Sequence, residues 1–393
     1  MKKICFSLIC FALLICVCVS KISSIAVAAY FDDTLFSGFT SSSYILLDAD
    51  SGKILVNKNS DEKLQVASIC KLMTSLITME KIDAGALSLD TLVLASDHAA
   101  SMEGSQAFLD AGSKYKVGEL LKSVIVASAN DSAVALAEAI AGNEQAFVTL
   151  MNEKAKELGM NNTVYANATG LPSANQYSTA FDTTIVLKQA TSHEIYKKYS
   201  NIWMDSFVHP SGRVTELVNT NRLIKYYDYC KSGKTGFTDE AGYCLSSTAS
   251  NGNLNLIAVT LKCKNPQDRF KESMELYNYG FANFENKKVI DVNAPFDKTI
   301  KVVGGKQSSA NLKLKNDFYA LSKKGDKSEI NVKYEIQNSI NAPKKLGDVV
   351  GSALITQNGK IIGEVDIIIN EDVFVQSYGD IINKIVNNFS INF

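Results

Sequence analysis

The sequence predicts a domain of mixed helices and strands, α/β in the α+β sense, followed by a small all-β domain. Three observations predict it. Apolar residues recur at helical spacing through much of residues 68–158. Strand patterns return between residues 226 and 262 and are closed by a helical segment, Gln267–Phe284. Beyond about residue 286 the periodicity is almost wholly that of strands. The chain has 393 residues, which suits two or three domains, and 46% are hydrophobic against 21% charged, the balance of a globular protein.

At the N-terminus, Lys2 and Lys3 precede an uncharged apolar run from Ile4 to Ser20, and Ala26-Val27-Ala28 follows a polar stretch. A positive start, an apolar core and a small-x-small site predict an export signal over residues 1–28. An uncleaved anchor is the alternative, because the apolar run is long for a cleaved signal. Either way the remainder is predicted to be exported. The mature chain keeps Cys70, Cys230, Cys244 and Cys263, too few and too scattered for a disulfide framework. Cys244 and Cys263 lie on successive predicted strands and either pair or remain buried thiols.

Ser43–Asp48 and Gly52–Val56 are apolar runs joined by Ala49-Asp50-Ser51-Gly52, a predicted β-hairpin. From Ser68 to Ile82, Leu72, Leu76 and Met79 fall at helical spacing. Val117–Ile140 is helical but broken around Ser128-Ala129-Asn130, and Gln145–Leu158 continues to a stop at Gly159. Residues 160–225 are rich in Asn, Thr, Ser and Gly, and periodicity determines little there. Strands are predicted at Tyr226–Gly236, Gly242–Ser250 and Leu254–Lys262. These elements make up a first domain over residues 29–285.

The β domain, residues 286–375, has runs at Val289–Val292, Lys298–Val303, Ala310–Leu314, Glu329–Ile336, Gly351–Thr356 and Lys360–Ile369. Asn358-Gly359 between the last two is a strong hairpin signal, since both residues tolerate positive φ. Nothing in this domain converges chemically, so it reads as a spacer or partner surface. In the tail, residues 376–393, Ile381, Ile382, Ile385, Val386 and Phe389 share one helical stripe opposite Asp380, Asn383, Lys384 and Asn387. This is either an interfacial membrane helix or a helix packed on the β domain.

Composition excludes some functions. Lys+Arg (40) nearly cancels Asp+Glu (41), so there is no bulk basic field for nucleic acid. His98, His193 and His209 show no ligand spacing, so neither a metal nor any other cofactor is predicted.

Three short motifs carry the chemistry. In Ser68-Ile69-Cys70-Lys71 the serine reads as a helix N-cap, and residues three apart share a helix face, so the Lys71 amine reaches the Ser68 hydroxyl. A hydroxyl becomes a useful nucleophile only when a neighbour takes its proton, and a lysine does so only if burial or a nearby cation keeps it neutral. Ser128-Ala129-Asn130 offers a hydroxyl to relay a proton and an amide to hold a carbonyl. Lys234-Thr235-Gly236 lies on a strand along which an extended substrate can pair. Its glycine permits close approach, and Lys234 offers positive charge that attracts a carboxylate and opposes protonation of Lys71. Each motif alone is weak.

Their order and spacing resemble the active-site set of penicillin-binding proteins and serine β-lactamases. Further stretches narrow the resemblance to the low-molecular-mass D-alanyl-D-alanine carboxypeptidases, the peptidase S11 family. These are Val66-Ala67-Ser68, Lys71–Thr74, Ala127–Asp131, Asn167–Leu171, Tyr177–Ala180, Asn219–Leu223, Lys234–Thr238, Ala241-Gly242-Tyr243 and Arg269-Phe270. The resemblance covers about residues 40–285 strongly, with the β domain and tail similar to the family's usual appendages. It implies a β-lactamase/transpeptidase-like fold, an antiparallel sheet flanked by helices.

Carried over, Ser68 resembles the acyl-forming nucleophile, Lys71 its base and Ser128 the proton relay. Asn130, Lys234, Thr235, Gly236 and Phe237 look like substrate-binding positions, with the backbone N–H groups of Ser68 and Phe237 as the oxyanion hole. Arg269 either helps to hold the terminal carboxylate or forms a structural ion pair. Ser232-Gly233 before Lys234 departs from the expected pattern and leaves the start of that strand open. The implied partners are peptidoglycan stem peptide and β-lactam antibiotics as acylating inhibitors, and the implied setting is the cell wall or the outer face of the cytoplasmic membrane. Two rivals remain. A class A β-lactamase would need a glutamate that primes water between the second and third motifs, where Glu194 and Glu216 are the candidates. A catalytically silent wall-binding protein would rely on the β domain.

Overall fold

The computed structural model describes residues 33–390. The predicted export signal, with Cys5, Cys10, Cys16 and Cys18, lies outside the described residues.

β1 (Ser43–Asp48) and β2 (Ile54–Lys58) form the predicted hairpin. A 3-10 turn, Ala67–Cys70, then leads into α1 (Lys71–Asp83). Ser68 therefore does not cap the helix as predicted. It sits inside the tighter turn, and α1 starts after it with no side-chain cap. β3 (Leu92–Leu94), α2 (Asp97–Ala100) and β4 (Lys114–Lys116) follow, with β3 and β4 paired. α3 (Val117–Val126) and α4 (Asn130–Ala141) are the two halves of the predicted broken helix. α5 (Glu144–Glu157) is capped by the Asn143 side chain, which accepts from the Ala146 N–H.

The stretch that periodicity left open holds α6 (Ala180–Ala190), α7 (Glu194–Ser200), the hairpin of β5 (Met204–Val208) and β6 (Val214–Val218), and the short α8 (Leu223–Tyr226). β7 (Cys230–Thr238), β8 (Gly242–Asn251) and β9 (Leu254–Cys263) come next, then α9 (Asp268–Asn283). β7 starts later than predicted because α8 takes up the chain before it.

The main sheet is antiparallel throughout, in the order β2-β1-β9-β8-β7. Alternate residues of its central strands enter two cores. Ile45, Leu47, Ile257, Val259 and Leu261 face the core built with α1 and α3 to α6, while Tyr44, Leu46, Leu256 and Ala258 face the one under α9. Both faces are covered, which is why these strands read as unbroken apolar runs. Each large side chain buried there contributes ~1.5–3 kcal/mol. β7 is left at one edge, open to pairing along one side.

The second unit comprises β10 (Phe284–Ile290), β11 (Thr299–Val303), β12 (Ser309–Leu314), β13 (Phe318–Lys323), β14 (Ile330–Ile336), β15 (Ser339–Asn341), β16 (Val349–Gln357) and β17 (Lys360–Ile369). Six of these form a sheet in the order β14-β16-β17-β12-β11-β15, and β10 pairs with β13. The sequence missed β13 and β15. The Asn358-Gly359 turn has φ +50 and +75, as a two-residue hairpin requires. α10 (Tyr378–Ser390) ends the described chain. Ile382 and Val386 are 60% and 54% exposed.

In β16, a Cβ on Gly351 would stand 2.3 Å from the Glu335 carbonyl oxygen of β14. Backbone on the paired strand cannot yield without breaking the ladder. Gly351→Ala is expected to destabilise the β domain by ~1–3 kcal/mol and to lower its calorimetric transition while leaving that of the first domain in place. An unchanged thermogram would contradict this packing.

Candidate active site

Three segments converge on the turn at Val66–Ser68. Ala67, just before the serine, has φ +48, and Ser128, between α3 and α4, has φ +65. Side chains with a Cβ rarely occupy this left-handed region, at a cost of ~1–2 kcal/mol per residue. Packing holds the Ala67 turn in place. A Cβ on Gly170 would lie 2.0 Å from the Ala67 carbonyl oxygen, and one on Gly236 would lie 2.4 Å from that of Val66. Only glycine allows the 166–171 loop and β7 to press this closely on the serine turn.

The Lys71 Nζ lies 2.9 Å from Ser68 Oγ and donates to the Thr169 carbonyl at 2.6 Å. Lys234 Nζ donates to Ser128 Oγ at 2.8 Å and to the Thr235 carbonyl at 2.9 Å. The site is thus built as two serine–lysine pairs. Ser68 is half-buried, whereas Lys71, Ser128, Asn130, Lys234 and Thr235 are buried. Among the described residues neither lysine makes a salt bridge.

Burial pulls the Lys71 amine down to about 7, with the Cys70 thiol and the Asp131 carboxylate acting weakly the other way. The predicted agent, a second cation across the groove, is therefore not the main cause. Lys234 is lowered well below the usual lysine range, first by burial and then by Lys71 and Arg269.

Asn130 donates through Nδ2 to the Glu103 carbonyl, and its Oδ1 is buried without a partner. One amide hydrogen and the carbonyl oxygen of this side chain remain for a ligand. Asp131 follows and accepts from the N–H groups of Ala107 and Leu109, both at 3.0 Å, which bolts the 103–110 loop beside it. Gly236 is buried on β7. The Phe237 ring is 47% exposed and stacks on Tyr243 with centroids 4.3 Å apart. Arg269 makes no ion pair among the described residues. Its Nη1 donates to the Gly236 carbonyl at 3.0 Å, and its guanidinium lies over the rings of Tyr243 and Phe270. The Ser232-Gly233 departure is accommodated by packing, since a Cβ on Gly233 would lie 2.7 Å from both Asn221 Nδ2 and the Ser246 carbonyl oxygen.

Sequence reasoning missed the Thr169 carbonyl, which carries no side-chain signal, and the bracing of the loops by Asn167 and Asp131. No group of three or more metal-ligating side chains gathers among the described residues.

Comparison with known proteins fits this geometry. The family pattern described as D-alanyl-D-alanine carboxypeptidase, peptidase S11, matches residues 33–265, and that of the penicillin-binding protein 5 C-terminal domain matches residues 284–374. The D-alanyl-D-alanine carboxypeptidase DacF of Bacillus subtilis is 38% identical over 84% of this chain and 85% of its own. DacC of Escherichia coli is 35% identical over 84% and 83%. Among solved structures, penicillin-binding protein 5 of Haemophilus influenzae superposes with a TM-score of 0.70 at 31% identity, covering 86% of this chain and 98% of that one. The chain belongs to the D-alanyl-D-alanine carboxypeptidase family.

As a family member it is a hydrolase of the cell wall with a penicillin-binding fold. The glutamates a β-lactamase would need lie elsewhere in this carboxypeptidase. Glu194 is an exposed residue of α7 paired with Lys197, and Glu216 is exposed on β6. Of the two alternatives for Cys244 and Cys263 the structure has buried thiols, because all four described cysteines are free and buried. Burial pushes Cys70 and Cys230 up to about 12 and Cys244 to about 11, and raises Cys263 as well. Native protein treated with iodoacetamide at pH 8 should leave these four unmodified in a peptide map, and unfolded protein should not. Fast native labelling of Cys70 would show that the ground behind Ser68 is open.

Proposed function

We propose that Ser68 is the nucleophile with which this carboxypeptidase removes the terminal D-alanine from peptidoglycan stem pentapeptides, and that Lys71 is its general base. The observation that carries the reading is a buried amine, pulled to about 7, 2.9 Å from a half-exposed hydroxyl. In this reading Ser68 Oγ attacks the carbonyl carbon of the penultimate D-alanine while its proton passes to Lys71 Nζ. The oxyanion is received by the backbone N–H groups of Ser68 and Phe237. The C–N bond then breaks, and Ser128 relays a proton to the departing amine. Water hydrolyses the ester and restores Ser68. Asn130 holds a substrate carbonyl through its free amide hydrogen, and the substrate backbone lies along β7 at Thr235 and Gly236. A substrate carboxylate supplies Lys234 with the counter-charge its pocket lacks, raising its proton affinity on binding. Arg269 acts from behind, by fixing the Gly236 carbonyl.

We further propose that residues 1–28 direct export and that residues 29–285 and 286–375 are the two working domains, with the tail as a surface anchor. No helix among the described residues is long and apolar enough to cross a membrane, whereas α10 exposes Ile381, Ile382 and Val386. Removing residues 378–393 should abolish co-sedimentation with anionic phospholipid vesicles. Equal sedimentation of both forms would leave the tail without this role.

Two experiments test the chemistry. Fluorescent penicillin should label the wild type and not Ser68→Ala, and D-alanine release from a pentapeptide should fall ~10³-fold or more in the variant; a labelled variant overturns the assignment. Lys71 accepts a proton only when neutral, and its folded affinity is lowered. The acylation rate should therefore be small below about 7, rise through it and level above. A rate that fell with rising pH over that range would exclude Lys71 as the base.

A further inference from the structure

A neutral amine has two N–H bonds and one lone pair. For the Lys71 lone pair to face the Ser68 hydroxyl, an N–H must be committed elsewhere, and the Thr169 carbonyl at 2.6 Å takes it. Once the amine gains the serine proton, the same contact becomes charge-assisted and roughly twice as strong. An interaction that strengthens towards the transition state raises the rate.

A loop carbonyl can do this only if its peptide plane is held. The Asn167 Oδ1 accepts from Thr169 N at 3.2 Å, Thr169 Oγ1 at 3.1 Å and Gly170 N at 2.7 Å, while its Nδ2 donates to the Leu171 carbonyl at 3.0 Å. One side chain therefore fixes both sides of the Thr169 carbonyl. Glu144 Oε1 accepts from Ala168 N at 2.9 Å, Thr74 Oγ1 donates to the Ala168 carbonyl at 2.7 Å, and Gln176 Oε1 accepts from Ala166 N at 2.9 Å.

We infer that Asn167 is a positioning residue for the general base, aiming the Lys71 lone pair at Ser68 through the Thr169 carbonyl. The inference rests on the assignment of Ser68 and Lys71 made above. The groups facing Lys71 are Cys70 on its own turn, Asp131 from α4 and Lys234 from β7, with Tyr165 and Glu144 facing the Cys70 thiol behind it.

The test is the pH profile of fluorescent-penicillin acylation in wild type, Asn167→Ala and Asn167→Asp. Asn167→Ala frees the carbonyl that stabilises the protonated base. Its acid limb should move about one pH unit lower, and its plateau should fall ~10- to 100-fold. Asn167→Asp keeps the acceptor and adds a negative charge, so its limb should move higher with a smaller loss of plateau. A lower plateau with unmoved limbs marks a merely structural loop and overturns the proposal. If Asn167→Ala does not fold, Glu144→Ala and Glu144→Gln read the same brace from the other side. The glutamine keeps an acceptor and should retain more of the plateau; equal loss in both overturns the proposal. Absence of label on wild-type Ser68 would instead defeat the nucleophile assignment itself.

Discussion

Two facing lysines, buried with no carboxylate partner among the described residues, are the constraint on which this site depends. Carrying an ammonium out of water has an effective penalty of several kcal/mol even after relaxation. The side chain responds by giving up its proton, as Lys71 does at about 7. A partner carboxylate would hold Lys71 charged, so that it could not accept a proton. The offset comes from the surrounding apolar packing. Leu72, Met73 and Leu76 of α1 are at most 1% exposed, and each contributes ~1.5–3 kcal/mol. On the proposed reading, the same core that stabilises the domain also keeps the Lys71 amine ready to accept a proton.

Position is fixed with equal strictness by backbone that has little choice. Ala67 and Ser128 adopt left-handed φ values where the serine turn and the α3–α4 junction meet. Gly170 and Gly236 then let a loop and a strand edge close on that point. Strain at two residues and close approach at two glycines belong to one packing solution. A change at any of the four therefore moves the nucleophile as well as the residue altered.

Sequence patterns reported the parts of the molecule governed by periodicity. The break at Ser128-Ala129-Asn130 and the Asn358-Gly359 turn were legible because polar or turn residues with positive φ interrupt the pattern there, and β9 because cover on both faces makes it a nearly continuous apolar run. Residues 160–225 were not, because Asn167, Gln176, Asn219 and Asn221 bond to backbone groups at irregular intervals and leave no repeat. The serine turn was misread for a related reason. Ser68 looks like a cap by residue type, whereas its 3-10 geometry follows from tertiary pressure that no local pattern records. The cause of the low Lys71 affinity was misassigned to Lys234, since a sequence shows where charges stand and not how deeply they are buried.

The same geometry bears on why a peptide and a penicillin would fare differently at one serine. On the mechanism proposed above, hydrolysis of the ester needs a base for water, and the amine 2.9 Å from Ser68 Oγ is that of Lys71. On the proposed mechanism, when a peptide is the donor the D-alanine leaves, and water can take its place beside the Lys71 amine. When a β-lactam is the donor, ring opening keeps the departing nitrogen tethered to the acyl group, in the path that water would take. A second carboxylate above the ester would remove the difference by activating water from another side. Glu194 and Glu216, on the surface of α7 and β6, do not provide it. On the mechanism proposed above, one buried amine would serve both half-reactions, and slow release of penicillin would follow.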